Sequence, residues 1–117
     1  MTITRVPLAS HDIEPVLPLT RIRVVRLEFR PGQESGLHFH PMPVMGYVAE
    51  GAFIVQVEDG EVRRYQTGEI VLEPANTRIT RFDNASSSEP AALIATYLGG
   101  EADDKLIEFL EHQDSKV

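Results

Sequence analysis

The sequence predicts an all-β fold, a small sandwich or barrel with one short C-terminal α-helix. Three observations carry this. Short apolar runs recur at near-regular spacing and are separated by Gly, Pro, Asn and Asp turn signals. Asp59-Gly60 stands between two such runs and is the strongest hairpin signal in the chain. The pattern changes to a helical stripe only after Gly99-Gly100.

Taken in order, residues 21–30 carry Ile22, Val24, Val25, Leu27 and Phe29. Their alternation changes phase at Val24-Val25, which predicts a bulge or a strand buried on both faces. Pro31-Gly32 ends this strand. A short second strand holds His38 and His40 and stops at Pro41-Met42-Pro43. Tyr47-Val48-Ala49 forms a third, with Tyr47 alternating away from the Val48 face. In the fourth, Phe53, Val55 and Val57 alternate with Ile54, Gln56 and Glu58. Beyond Asp59-Gly60 the chain returns through residues 61–65, and Thr67-Gly68 turns it into Ile70-Val71-Leu72, closed by Pro74-Ala75-Asn76. A strand over about 78–82 precedes a Ser-rich loop, and residues 93–98 form the last strand. Over residues 101–113, Leu106, Ile107, Phe109 and Leu110 share a helical stripe, with Asp103 and Asp104 in the first turn, where the helix dipole favours acids. That helix would serve as a lid on the barrel or as a dimer contact.

With 117 residues, the chain predicts one domain over 1–117, its core at about 22–98. A hydrophobic content of 42% and a charged content of 25% are ordinary for a globular protein. The net charge of -7 and pI near 5.0 argue against a nucleic-acid partner, which needs clustered Lys and Arg. The absence of cysteine removes disulfides, thiolate metal sites and a cysteine nucleophile. No apolar run reaches membrane-spanning length and the N-terminus lacks the apolar core of a signal peptide, so a cytoplasmic protein with no membrane partner is expected.

Chemistry concentrates at one place. His38 and His40, two of four histidines, lie one residue apart after a turn signal. Residues two apart on a strand point to one face, so both imidazoles would reach the same spot. Ser35 and Ser86-Ser87-Ser88 lack the strand-turn-helix setting of a serine nucleophile. The glycines at 32, 36, 99 and 100 lack dinucleotide-binding spacing.

The order of these signals resembles the cupin superfamily. Gly32, five residues, His38, one residue, His40 and a later Gly51 look like its first motif; Gly68, five residues and Pro74 look like its second. The resemblance covers about residues 24–97. It implies a double-stranded β-helix (the cupin, or jelly-roll, barrel) and commonly a homodimer. In metal-binding cupins the first motif supplies two His and a Glu, and the second a third His. Carried over, the two His are His38 and His40, the Glu position is Val44 and the third His position is Ile79. The closing Asn of the second motif falls on Asp83, or on Asn84 if the register slips by one. Asn76 replaces a motif glycine and can also adopt positive φ.

Two imidazoles alone give a divalent ion no charge compensation, so the resemblance implies at most a weakly held Zn, Fe, Mn or Ni ion at His38 and His40. Glu34, Asp83 and His11 are candidate replacement donors. The alternative is a small-molecule pocket walled by Val44, Phe53, Val55 and Ile79. Arg81 and Asp83 share strand parity with Ile79, so they too would project inward, and Arg81 beside two imidazoles would favour an anionic ligand. Three functions follow. The first, favoured on sequence, is a small-molecule binding cupin with a degenerate metal site. The second is a metal-dependent dioxygenase or isomerase using His38, His40 and an atypical third ligand. The third is a metal-free enzyme in which His38, paired with Asp83, acts as general base.

Overall fold

The structure, a computed structural model, describes residues 2–13, 19–99 and 108–109. Two antiparallel sheets face each other. One has the order β1-β8-β3-β6, from β1 (Arg21–Phe29), β8 (Ala91–Gly99), β3 (Val44–Glu50) and β6 (Ile70–Glu73). The other has the order β5-β4-β7-β2-β9, from β5 (Arg63–Gln66), β4 (Ala52–Val57), β7 (Ile79–Asn84), β2 (His38–Phe39) and β9 (Glu108–Phe109). This is the all-β, two-sheet barrel the sequence predicts.

Alternation builds the core. Val44, Val48, Phe53, Val55, Val71, Ile79, Phe82 and Leu93 are buried between the sheets. Phe53 stacks edge-on against Phe29 with centroids 4.9 Å apart. Such aromatic pairs add to the area they bury. The corner from β3 into β4 requires Gly51, whose φ is +72° and whose added Cβ would lie 2.9 Å from the Pro90 carbonyl oxygen. Gly60 donates its N–H to the Val57 carbonyl at 3.0 Å, which closes the Asp59-Gly60 hairpin between β4 and β5. Asn76 takes φ 55°, the left-handed conformation its motif position demands.

Several expectations are corrected in detail. β1 pairs with β8 in unbroken register from Arg21 to Phe29, so no bulge occurs at Val24-Val25. The phase change instead reflects an apolar outer face, on which Ile22 and Val24 are exposed. Glu108–Phe109 pair with β2 as a two-residue strand where a helix was expected, and the remainder of the expected helix at 101–113 lies outside the described residues. No helix occurs among the described residues, and hence none long and apolar enough to cross a membrane.

β7 carries the correction with the largest consequence. Gln56 pairs with Arg81 but Val57 pairs with Ile79, so Thr80 is an extra residue, a β-bulge. Its hydroxyl donates to the carbonyls of Gln56 (3.1 Å) and Glu58 (2.9 Å), which anchors the bulge. One extra residue reverses the facing of everything after it. Ile79 and Phe82, three apart, both point inward, and Arg81 turns out.

Candidate metal centre

His38, His40 and Glu73 come together inside the barrel, all buried. The pathway from sequence is short. β2 and the residue after it place the two imidazoles with ring centroids 5.1 Å apart. On the opposite sheet β6 runs one residue further than its apolar run indicates, with Val71 and Glu73 inward and Ile70 and Leu72 outward. Glu73 Oε2 lies 3.5 Å from His40 Nε2, and Oε1 lies 3.9 Å from His38 Nε2. The donor atoms all fall within 4.8 Å of one another.

His38 is oriented by backbone. Its Nδ1 lies 2.8 Å from the Gly36 carbonyl oxygen, which can only accept, so Nδ1 carries the proton and Nε2 presents a lone pair towards Glu73. Gly36 reaches this position at φ 85°. The buried Ser35 hydroxyl stands 3.5 Å from the same Nδ1. Burial lowers the His38 pKa from its ordinary value; the Gly36 contact and Glu73 oppose this, and His40 adds to it. A neutral imidazole with a fixed tautomer is the form that coordinates metal. Tyr97, on β8, packs its ring against His40 at 5.6 Å, and burial together with Glu73 pushes its phenol up to about 12. It is therefore a protonated hydroxyl at neutral pH.

These residues fit a divalent cation. Glu73 is 4% exposed, and its Oε1 is the buried side-chain polar atom left without a hydrogen-bond partner among the described residues. A buried carboxylate oxygen with no donor is costly unless a cation meets it. Two imidazoles and a carboxylate form the donor set used for zinc and for non-haem iron with open coordination positions. The cavity they line, with Val44, Phe82 and Tyr97 among its walls, measures about 20 Å³. That is room for roughly one water-sized group.

The carboxylate has changed strand. Val44, where the family pattern places a Glu, pairs in register with Glu73 across the β3–β6 ladder. Side chains at paired positions stand on the same face about 4.5–5.5 Å apart at Cβ. The acid is thus supplied from the next strand at the same rung. Ile79 pairs with His38 and stays aliphatic and fully buried, so the donor set is three rather than four.

The expected pocket residues divide. Val44 lines the cavity; Phe53, Val55 and Ile79 are core residues outside its wall. Arg81 and Asp83 do not line it either, and are corrected here: the Thr80 bulge turns Arg81 to solvent, 48% exposed, where its Nε donates to Asp83 at 2.6 Å. Among the candidate replacement donors, Glu34 forms a β-bridge with Asp83, and His11 is exposed on the N-terminal segment. None of the three joins His38 and His40.

A family model described as "Cupin domain" matches residues 25–97. The chain belongs to the cupin superfamily. Solved structures agree on this cupin's fold. It resembles an uncharacterised conserved protein with a double-stranded β-helix domain from Klebsiella pneumoniae, at 23% identity and TM-score 0.63, covering 77% of this chain and 75% of that one. It also resembles the DMSP lyase DddQ from Ruegeria pomeroyi (15% identity, TM-score 0.65, 76% and 43% covered) and an oxalate oxidase (20%, 0.65, 76% and 46%). This cupin spans less than half the length of those two enzymes. No curated protein matches its sequence.

Proposed function

We propose that this cupin is a metal-dependent enzyme acting on a small molecule, its ion held by His38, His40 and Glu73. The observation that carries the reading is the buried Glu73 carboxylate, with an unpartnered oxygen, between two imidazole Nε2 atoms. It moves the balance from the binding-only reading to the second, because the donor set now has three members and a negative charge. An ion there would act as a Lewis acid or redox centre towards a ligand oxygen. The chain's own part is to hold the tautomer of His38 through Gly36, to exclude bulk water with Val44, Phe82 and Leu93, and to offer the Tyr97 hydroxyl as a hydrogen-bond donor beside His40. The metal-free reading loses its proposed pair, since Asp83 is engaged by Arg81. Relatives of this fold that are named as enzymes, an oxalate oxidase and a DMSP lyase, are consistent with catalysis.

Elemental analysis of protein purified without chelator tests this. Close to one zinc, iron, manganese or nickel per chain is expected, lost in the His38→Ala/His40→Ala double variant. Protein that arrives metal-free and takes none up overturns the reading. The pH dependence has a definite sign. Because burial lowers the His38 pKa from its ordinary value, protonation of Nε2 competes with metal only on acidification, so metal is expected to be held at neutral pH and released as the pH falls.

The proposal includes a homodimer. Ile22, Val24, Met45 and Tyr47 form an outer face of the β1-β8-β3-β6 sheet and are 59%, 63%, 39% and 41% exposed. A contiguous apolar sheet face of this kind is stabilised by a second copy. Sedimentation should give twice the chain mass of 13.1 kDa, and Val24→Glu with Tyr47→Glu should halve it. A wild-type monomer would remove the dimer from the reading.

A further inference from the structure

The barrel is open along one side. β5 and β6 are end strands of their sheets and do not pair with each other, and a cleft of about 390 Å³ lies between them. One wall is the inner face of the β4–β5 hairpin. Phe53 pairs with Tyr65 and Val55 with Arg63, so Tyr65 and Arg63 share the facing that buries Phe53 and Val55. Tyr65 and Val57 pack against the core, while Arg63 is exposed at the cleft. Across the gap stand Leu72 and Pro74, the sequence neighbours of Glu73, and His11 completes the lining. Glu61, at the end of the hairpin turn, joins Arg63 on the cleft wall. Among the described residues neither of these two charges has an ion pair or a side-chain hydrogen bond, with the other or with any third residue.

We infer that this cleft is a second ligand site and that it takes an α-amino acid with a large apolar side chain. Charge gives the head group. The Arg63 fork matches an α-carboxylate in shape and sign, and the Glu61 carboxylate matches an α-ammonium. A ligand carrying only one of these charges leaves the other wall residue unmatched. The remaining lining gives the side chain: Val55, Val57, Leu72 and Pro74 are apolar, and the Tyr65 ring adds an aromatic face. Size agrees, since about 390 Å³ falls in the lower range of small-molecule sites, whereas the metal cavity of about 20 Å³ holds roughly one water-sized group. The two cavities share no lining residue, so this site goes beyond the metal reading and does not depend on it. Charge on an end strand also discourages pairing between chains. Arg64, which pairs with Ile54 and faces away from the cleft, serves that purpose equally and provides the control.

Calorimetric titration of the chelator-treated full chain with L-phenylalanine tests this. The comparison ligands are 3-phenylpropionate, which lacks the ammonium, and 2-phenylethylamine, which lacks the carboxylate. L-phenylalanine should bind, and each comparison ligand should bind about fivefold more weakly or less, the scale of an exposed charge pair. Arg63→Gln should weaken L-phenylalanine by a similar factor and leave it no better than 2-phenylethylamine. Glu61→Gln should do the same relative to 3-phenylpropionate, and Arg64→Gln should change neither affinity nor order. Absence of L-phenylalanine binding to the parent overturns the inference. So does binding that is indifferent to both Arg63→Gln and Glu61→Gln, or equal affinity for all three ligands. A lower melting temperature in either variant with L-phenylalanine binding intact would identify a structural charge of the hairpin and also overturn it.

Discussion

Glu73→Gln is expected to move metal affinity and apo-protein stability in opposite directions. Glu73 is the one negative charge in the buried set, and its Oε1 has no donor among the described residues. In the absence of metal the side chain is buried with His40 Nε2 at 3.5 Å and His38 Nε2 at 3.9 Å, and its Oε1 has no hydrogen-bond donor among the described residues. A neutral amide of nearly the same shape costs less to bury, and the chelator-treated variant should be more stable than the parent by about 1–3 kcal/mol. With metal the sign reverses. Loss of a direct anionic ligand should lower zinc affinity by about a hundredfold or more, beyond the roughly 10–100-fold that an outer-shell partner costs. Thermal unfolding of the two chelator-treated proteins followed by zinc titration measures both. A variant less stable than the parent without metal, and equal to it in zinc affinity, would show that Glu73 is a structural acid.

How much of this was legible before any coordinates follows from where sequence periodicity holds. The strands between 21 and 99, the Asp59-Gly60 hairpin and the position of the two imidazoles all follow from alternation and turn chemistry, which are local. Tyr47 turning out while Val48 turns in is a direct product of period 2. What escaped were consequences of pairing between strands. Glu73 follows three apolar residues and precedes Pro74, so it reads as the polar end of a strand; only parity with the inward Val71 marks it as an interior acid. Its role depends on lying opposite Val44, a register relation that one strand does not encode. The Thr80 bulge is of the same kind. The two polar residues between the inward Ile79 and Phe82 are its local trace, and the extra Thr80 turns Arg81 outward, against the parity it shares with Ile79. The position of the family's third His carries no donor, since Ile79 is an aliphatic core residue beside His38.

Asn84→Ala is expected to be among the most damaging polar substitutions in the chain, at about 2–4 kcal/mol. Asn84 ends β7 and is buried. Its Nδ2 donates to the carbonyls of Arg30 (3.0 Å) and Glu89 (2.8 Å), and its Oδ1 accepts the Ser86 N–H at 2.9 Å. One side chain therefore ties the end of β1, the end of β7 and the Ser-rich loop that leads into β8. The loop has its own supports, since the Ser86 hydroxyl accepts the N–H groups of Ser88 and Glu89, but these join loop to loop and do not join it to the barrel. Truncation leaves two carbonyls and one N–H short of partners at the rim, where incoming water can restore only part of the loss. Asn84→Asp separates this account from a simple packing effect. It preserves volume and the acceptor for Ser86, but it replaces both donors with charge facing two carbonyl oxygens, so it should destabilise at neutral pH at least as much as alanine. Acidification should recover part of that stability, because a carboxyl that is disfavoured when ionised in the folded state titrates above its unfolded value, and stability lost above that range returns below it. Urea unfolding of the three proteins at neutral and acidic pH measures the order. Asp and parent of equal stability at neutral pH would show that the two Nδ2 hydrogen bonds contribute nothing, and the joint at the end of β7 would then be held by its backbone hydrogen bonds, Asn84 N–H to Gln33, Ala85 N–H to Ala52 and Gly32 N–H to Ser86, together with packing.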